Sequence, residues 1–276
     1  MKLRRASSVA ELEGAGRSLL LAGGTEVVPL LRAGILEADE LIDVRSVVPR
    51  GIEGATIGAG TTLAVIETSA EVPDALREAC RLAASPQLRN AGSLAGNLLQ
   101  STRCWYWRLN WPCRLHGGDT CFARDGEHRE HAVFANRFCA SAHPSDAAAA
   151  LLSLDATLQT DRRKLPVGEL YRVPTEDDRR TTTLEPGELV LSVELPAVER
   201  SVYLKAMERK RWAFPLVGVA AARVGGSTRI ALAGMAPVPW LLDARSLDGA
   251  TPLPGNAYKL EIATALVKRA LAQLDA

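Results

Sequence analysis

Ser18-Leu19-Leu20-Leu21-Ala22-Gly23-Gly24-Thr25-Glu26-Val27-Val28-Pro29-Leu30-Leu31 is the stretch on which the reading of this chain turns. A short apolar run ends in two glycines and a threonine, after which Val27, Val28, Leu30 and Leu31 recur at helical spacing. The pattern predicts strand, glycine turn, helix. Pro29 fits, because a proline in the first helical turn removes an N–H that had no partner there. Backbone N–H groups exposed between a strand end and a helix N-terminus can cradle a diphosphate. Gly-Gly turns also serve as plain connections, so this segment alone leaves both readings open.

A second segment, Arg89-Asn90-Ala91-Gly92-Ser93-Leu94-Ala95-Gly96-Asn97, again sets glycines beside Ser and Asn. Neither segment has the G-x-G-x-x-G spacing of a doubly wound dinucleotide fold. A different dinucleotide architecture is required. Between them, Leu41 to Val44 and Ala55 to Gly60 read as short strands, and Leu63 to Ser69 and Val72 to Ala84 as helices, the second containing Cys80.

From Ser85 to Cys139 no apolar period is recognisable, and a loop of that length inside a compact domain is usually functional. It carries Cys104, Cys113, Cys121 and Cys139, separated by 8, 7 and 17 residues. None forms the C-x-x-C pair of structural zinc sites. Wide, irregular spacing suits an iron-sulfur cluster wrapped by a long loop, and soft thiolates favour iron-sulfur or zinc over hard cations. Four unconnected thiols are the plain alternative. Trp105, Tyr106, Trp107 and Trp111 lie among the cysteines, either shielding a cluster, forming a docking surface, or supplying a core that an irregular loop lacks. His116, His128, His131 and His143 read as surface residues or supports rather than ligands, given four thiolates at hand.

Asp146 reads as the N-cap of a helix over Ala147 to Leu152, followed by a strand over Ala156 to Gln159. The charged, threonine-rich segment from Arg172 to Glu185 reads as a connection between domains. Val190 to Leu195, Val202 to Ala206, Val217 to Val224 and Thr228 to Leu232 predict a mostly antiparallel sheet, and Leu260 to Leu274 an amphipathic helix. Paired strands with segregated helices give an α+β chain of at least two domains. There is no internal repeat and no low-complexity tract.

A chain of 276 residues buries a sizeable core without disulfides. With 33 basic against 32 acidic residues it has no field that gathers nucleic acid or an anionic membrane. The basic N-terminus leads into Ser7-Ser8 and Glu11-Leu12-Glu13 rather than the apolar run of a signal peptide, and no stretch is long enough for a membrane span. A cytoplasmic, reducing location is the expectation, with periplasmic export by way of a partner's signal left open.

Together these segments resemble the flavoprotein subunit of the xanthine dehydrogenase family of molybdenum hydroxylases, a group that includes the medium subunit of carbon monoxide dehydrogenase. The resemblance covers essentially the whole chain. Leu21-Ala22-Gly23-Gly24-Thr25-Glu26-Val27 matches the family's first FAD loop, and Gln87-Leu88-Arg89-Asn90 through Ser93-Leu94-Ala95-Gly96-Asn97 its second, with Ala95 replacing a usual glycine. Tyr203-Leu204-Lys205 followed by Arg209-Lys210-Arg211 and Ala213-Phe214 is similar to the family's Y-x-K strand, and Leu232 to Pro239 to the start of its C-terminal domain.

The resemblance implies a two-part FAD-binding domain of the vanillyl-alcohol-oxidase/PCMH type over residues 1–175, carrying the cysteine loop at 98–140, and a smaller α+β C-terminal domain over 176–276 with an antiparallel sheet and helices. It implies FAD held by Leu21, Ala22, Gly23, Gly24, Thr25, Glu26 and Val27 and by Asn90, Ser93, Ala95, Gly96 and Asn97. Asp146 would lie at the isoalloxazine or ribityl region, and Lys205 would answer negative charge on the reduced flavin. The cysteine loop resembles that of two branches carrying an extra 4Fe-4S cluster, the heterotrimeric aldehyde oxidoreductases and the aromatic acyl-CoA reductases, and is closer to the first. Cys104, Cys113, Cys121 and Cys139 are then the ligands and Cys80 a core thiol. Partners implied are a large molybdenum-cofactor subunit and a small 2Fe-2S subunit, with no nucleic acid. A zinc-stabilised scaffold subunit without electron transfer is the competing reading.

Overall fold

The computed structural model describes residues 1–12, 17–209, 211–243 and 246–276; Glu13 and Lys210, quoted above, lie outside them. Strands β1 (Lys2–Arg5), β2 (Ser18–Leu21) and β3 (Glu40–Asp43) form a parallel sheet in the order β1-β3-β2. Parallel neighbours need a crossover, and helix α1 (Val27–Arg32) supplies it, placing the glycine turn at the C-terminal end of β2.

Past β3 the chain enters β4 (Ile52–Glu53) and β5 (Thr56–Gly58), then the helices α2 (Leu63–Thr68) and α3 (Asp74–Leu82). Ala75, Leu76, Ala79 and Cys80 of α3 are buried on one face, so Cys80 is the core thiol expected. The stretch from Ser85 to Cys139 is more ordered than its sequence suggests. It contains α4 (Pro86–Ala91), α5 (Leu94–Leu98), α6 (Trp105–Arg108) and a 3-10 turn at Arg114–His116. Helices of one or two turns are too short to show an apolar period. Caps define two of them instead: the Ser85 hydroxyl accepts from Leu88 N and the Ser93 hydroxyl from Gly96 N.

Helix α7 (Asp146–Ser153) has every residue buried, and its cap is Ser145, whose hydroxyl accepts from Ala148 N at 3.0 Å. Asp146 is therefore the first helical residue and not the N-cap. Beyond it lie β6 (Thr157–Thr160), β7 (Lys164–Pro166) and β8 (Val190–Glu194). These complete an antiparallel sheet in the order β4-β5-β8-β6-β7. Two expectations are corrected here. Val190 to Leu195 belongs to this sheet and not to the C-terminal one, because β8 sits between β5 and β6. The segment from Arg172 to Glu185 thus joins parts of one sheet rather than two domains, so a boundary at 175/176 would cut that sheet, and we place the division after β8.

The C-terminal sheet, in the order β12-β11-β10-β9, comprises β9 (Val198–Ala206), β10 (Val217–Val224), β11 (Ser227–Ala233) and β12 (Trp240–Leu241). Helix α8 (Tyr258–Asp275) covers one face, packing Ala263, Leu266 and Ala270 against Val217, Val219 and Leu232. The other face presents Ala220, Ala222, Ala231 and Ala233 to the main core, where α7 crosses. A strand buried on both sides cannot show the usual alternation, which is why β10 reads as a continuous apolar run. The parts together make the α+β architecture expected: a two-part domain of one parallel and one antiparallel sheet, then a smaller antiparallel domain.

One buried cation fastens α8 to the cysteine loop. Lys259 is fully buried and donates to the carbonyls of Glu130, His131 and Gly234 at 3.1, 2.9 and 2.5 Å, and burial pushes its pKa down to about 7. Lys259→Met would leave three buried carbonyls without that donor. It is expected to cost about 2–4 kcal/mol of stability, read as an earlier midpoint in urea denaturation.

Candidate functional site

The two glycine-bearing segments meet face to face. A Cβ on Gly23 would lie 1.8 Å from the Ala91 carbonyl oxygen, so the end of α4 abuts the first turn where only hydrogen fits. Gly24 has φ +71°, in the left-handed region that favours glycine. Among the described residues no acceptor takes the N–H groups of Gly23, Gly24 or Thr25. The second segment is pinned from behind: Leu94 N donates to Thr61 O at 2.9 Å and Ala95 N to Ala59 O at 3.0 Å. Arg89 is buried, pairs with Glu67 at 2.9 Å and donates to the carbonyl of Ala84, so it holds α4 in place.

Three cavities open around this contact. One of about 220 Å³ is lined by Ala22, Gly23, Asn90 and Ser93, with Arg45 and Arg50 at its edge. A second, of about 180 Å³, runs past Gly24, Thr25, Val27 and Ala95 toward Val190. The third, of about 330 Å³, lies between Thr25, Glu26, Gly96, Asn97 and Asp146 and the segment carrying Trp212 and Phe214. The structure thus brings Ala22 to Val27, Asn90, Ser93 and Ala95 to Asn97 onto the walls of one set of neighbouring cavities. Leu21 belongs to β2, just before the turn.

Asp146 forms part of the third cavity's wall and Lys205 does not. Lys205 Nζ lies 2.8 Å from Asp146 Oδ2 and also donates to Leu82 O, and both side chains are buried. The Tyr203 hydroxyl donates to the other carboxylate oxygen, and burial beside Asp146 raises the phenol's pKa. Lys205 is therefore committed to a buried ion pair instead of facing a ligand. The Asn97 carbonyl oxygen accepts from Ser145 Oγ at 2.6 Å, which leaves the Asn97 amide N–H groups for the cavity.

Glu26, expected among the FAD-holding residues, also anchors the cysteine loop. Arg108 Nη2 lies 2.5 Å from one of its oxygens and Arg103 Nη2 2.8 Å from the other, while Ser101 N donates to it at 3.1 Å. Arg103 also lies over the Phe214 ring, 4.7 Å from its centroid. The only sequence signal for these arginines was their position beside Cys104 in a loop with few other reasons for charge.

All five cysteines are free thiols. Cys104 is the N-cap position of α6, without a side-chain cap hydrogen bond, and burial pushes its pKa up to about 11. Its sulfur meets His131 Nε2 at 3.2 Å. Cys139 is pushed up to about 12 by burial and lies 3.2 Å from Ser141 Oγ. Cys104 feels the charges of Cys113 and Cys121, and Cys139 those of Cys121 and Cys104. The four are thus spatial neighbours. Among the described residues, however, no three His, Cys, Asp or Glu side chains converge closely enough to hold a metal ion. Of the aromatics, Tyr106, Trp111 and Phe122 pack edge and face into a small cluster, and Trp107 stacks on His116. Trp105 and Leu109 remain exposed.

The sequence model of the family described as the FAD binding domain in molybdopterin dehydrogenase matches residues 3–198. The chain belongs to this family, the FAD-binding subunits of the molybdenum hydroxylases. Among its relatives is the aldehyde oxidoreductase FAD-binding subunit PaoB of Escherichia coli (strain K12), 35% identical over 289 residues that take in 93% of this chain and 91% of that one. The fold is shared with carbon monoxide dehydrogenase from Hydrogenophaga pseudoflava (TM-score 0.69, 23% identity, 99% of this chain and 96% of that chain). It is shared too with quinoline 2-oxidoreductase from Pseudomonas putida 86 (TM-score 0.67, 19% identity, 99% and 96%).

Gly23→Ala drives a methyl group into the Ala91 carbonyl and must push the two loops apart. It is expected to lower stability by about 1–3 kcal/mol, measured as a drop in melting temperature of the flavin-free chain.

Proposed function

We propose that the chain is the electron-transfer flavoprotein subunit of a molybdenum-containing hydroxylase acting on aldehydes or related substrates. Electrons leaving the molybdenum site of a large subunit would reach it through the 2Fe-2S clusters of a small one and pass on to an external acceptor. The observation that carries this reading is the junction of the two glycine loops, whose free N–H groups border three cavities, in a chain 35% identical to an aldehyde oxidoreductase FAD-binding subunit.

FAD, when bound, supplies a centre that handles one or two electrons at a time. The chain's own part is to hold and orient it. Gly23, Gly24 and Thr25 offer N–H groups to the diphosphate, with Val27 opening the helix behind them. Asn90 and Ser93 border the cavity on the side of Arg45, suited to the adenosine end. Gly96, Asn97 and Asp146 border the larger cavity, suited to the isoalloxazine ring, and the Asn97 amide is oriented there by Ser145. Lys205 acts indirectly, fixing the Asp146 carboxylate.

Cys104, Cys113, Cys121 and Cys139 fit a 4Fe-4S cluster by their donor chemistry. The His131 ring lies beside the Cys104 sulfur, where it can support a bound thiolate. A cubane would take all four thiolates, and the wide spacing of the cysteines along the loop suits wrapping one. Free thiols also suit a reducing compartment such as the cytoplasm. Among the described residues no helix is long and apolar enough to cross a membrane.

Anaerobic purification is expected to yield a yellow-brown protein with about four irons and one flavin per chain. Cys113→Ser should lose the iron and keep the flavin, and Cys80→Ser should keep both, by metal analysis and absorbance. Stoichiometric zinc with no flavin band would instead identify a scaffold subunit.

A further inference from the structure

Among the described residues, the charged side chains on the wall of the 330 Å³ cavity are Glu26, Arg103 and Asp146. Asp146 is balanced by the buried Lys205. Glu26 is paired with two guanidinium groups, Arg103 on one oxygen and Arg108 on the other. Two carboxylates against three cations leave one positive charge in excess, and it belongs to the arginine pair. Of that pair, Arg103 reaches the cavity wall. Arg209 and Arg211, near Trp212 in the chain, are exposed, where water and salt screen them.

Arg103 is suited to a fixed charge at such a place. Guanidinium is weakly hydrated, stays protonated and stacks on aromatic faces, as it does here on Phe214. Burial lowers its pKa and Glu26 works against that loss. Arg103 and Phe214 also line a small cavity of about 40 Å³ bordered by Cys104 and His131, so one side chain stands between the large cavity and the cysteine loop.

We propose that Arg103, rather than Lys205, is the cation that stabilises the negative charge FAD gains on reduction. The inference rests on the reading of this cavity as the isoalloxazine site. Uptake of two electrons from the 2Fe-2S relay and of one proton from water, which forms the N–H bond of the reduced ring, leaves the ring with one more negative charge. No protein bond forms or breaks, and Arg103 keeps its protons throughout. A net positive pair beside the ring favours that product over the neutral oxidised ring, whereas the neutral Asp146–Lys205 pair gives little preference.

The test is a spectroelectrochemical titration of flavin in the FAD-loaded full chain. Arg103→Gln is expected to lower the two-electron equilibrium constant on the order of tenfold, a midpoint about 30 mV more negative. Arg103→Lys keeps the charge and should stay near the wild type. Glu26→Gln adds net positive charge and should move the midpoint the opposite way, a sign change that a merely structural role would not produce. An unmoved midpoint in Arg103→Gln, or equal negative shifts in Arg103→Gln and Arg103→Lys, overturns the proposal. Should Arg103→Gln shed its flavin, Arg103→Lys and Glu26→Gln decide alone: a wild-type midpoint in the first and a positive shift in the second support it, and any other pair of results overturns it. Ala213→Trp, which fills the cavity, separates the two levels. Full retention of FAD in that variant would place the ring elsewhere and refute the cavity reading itself.

Discussion

With hydrogen where any other residue has a Cβ, Gly23 lets the end of α4 come into contact with the turn after β2, and the geometry of the site follows from that contact. The two loops are supplied by different parts of the domain, the first by the parallel sheet and the second by helices pinned to residues 59–61. Pressed together, each limits the other. Loop ordering costs on the order of 1–2 kcal/mol per residue, and here it is met at folding rather than at binding, which is the sense in which the site is preorganised.

The same economy of side-chain volume shapes the core. Helix α7 reaches the C-terminal sheet because both partners offer alanine: Ala147 to Ala150 on the helix, Ala220, Ala222, Ala231 and Ala233 on the strands. Close packing of small residues carries the N-terminus of α7 to the cavity, and with it Asp146. A buried carboxylate is costly to desolvate, and Lys205 from β9 with the Tyr203 hydroxyl makes it tolerable. Such a pair adds little net stability, since the cost of burying two charges roughly cancels their attraction. Its value lies in geometry. It ties strand β9 of the C-terminal sheet to the cavity-side end of α7.

How legible this was from the sequence depended on the range of the interactions. The strand, glycine turn and helix around Gly23 were readable because their signals are local, and so were Cys80 in α3 and the strands β9, β10 and β11. The helices α4, α5 and α6 were not, because a helix of four to six residues has no period to read. Asp146 and Ser145 compete for one cap, and sequence favours neither; packing makes Asp146 helical and leaves the hydroxyl free to cap. The ion pair of Lys205 was hidden for a related reason. A lysine on a strand is recognisable, but whether its charge is free depends on what faces it, and Asp146 lies far away in sequence. Glu26, Arg103 and Arg108 were missed entirely as a unit, since an ion pair between a loop and an insertion has no grammar.

That ion-pair cluster also changes what the cysteine loop is. An insertion of this length, judged from sequence, is an appendage that a flavin domain carries or lacks. Its first residues are in fact bound to the side chain of Glu26, the last residue before α1, through Ser101, Arg103 and Arg108. Further along, His131 contacts Cys104 while its carbonyl is held by Lys259 from α8, so the loop is anchored at one end to the glycine turn and at the other to the C-terminal helix. A segment held at two such points keeps little conformational freedom, so the anchors, not the thiols, set the shape of the loop.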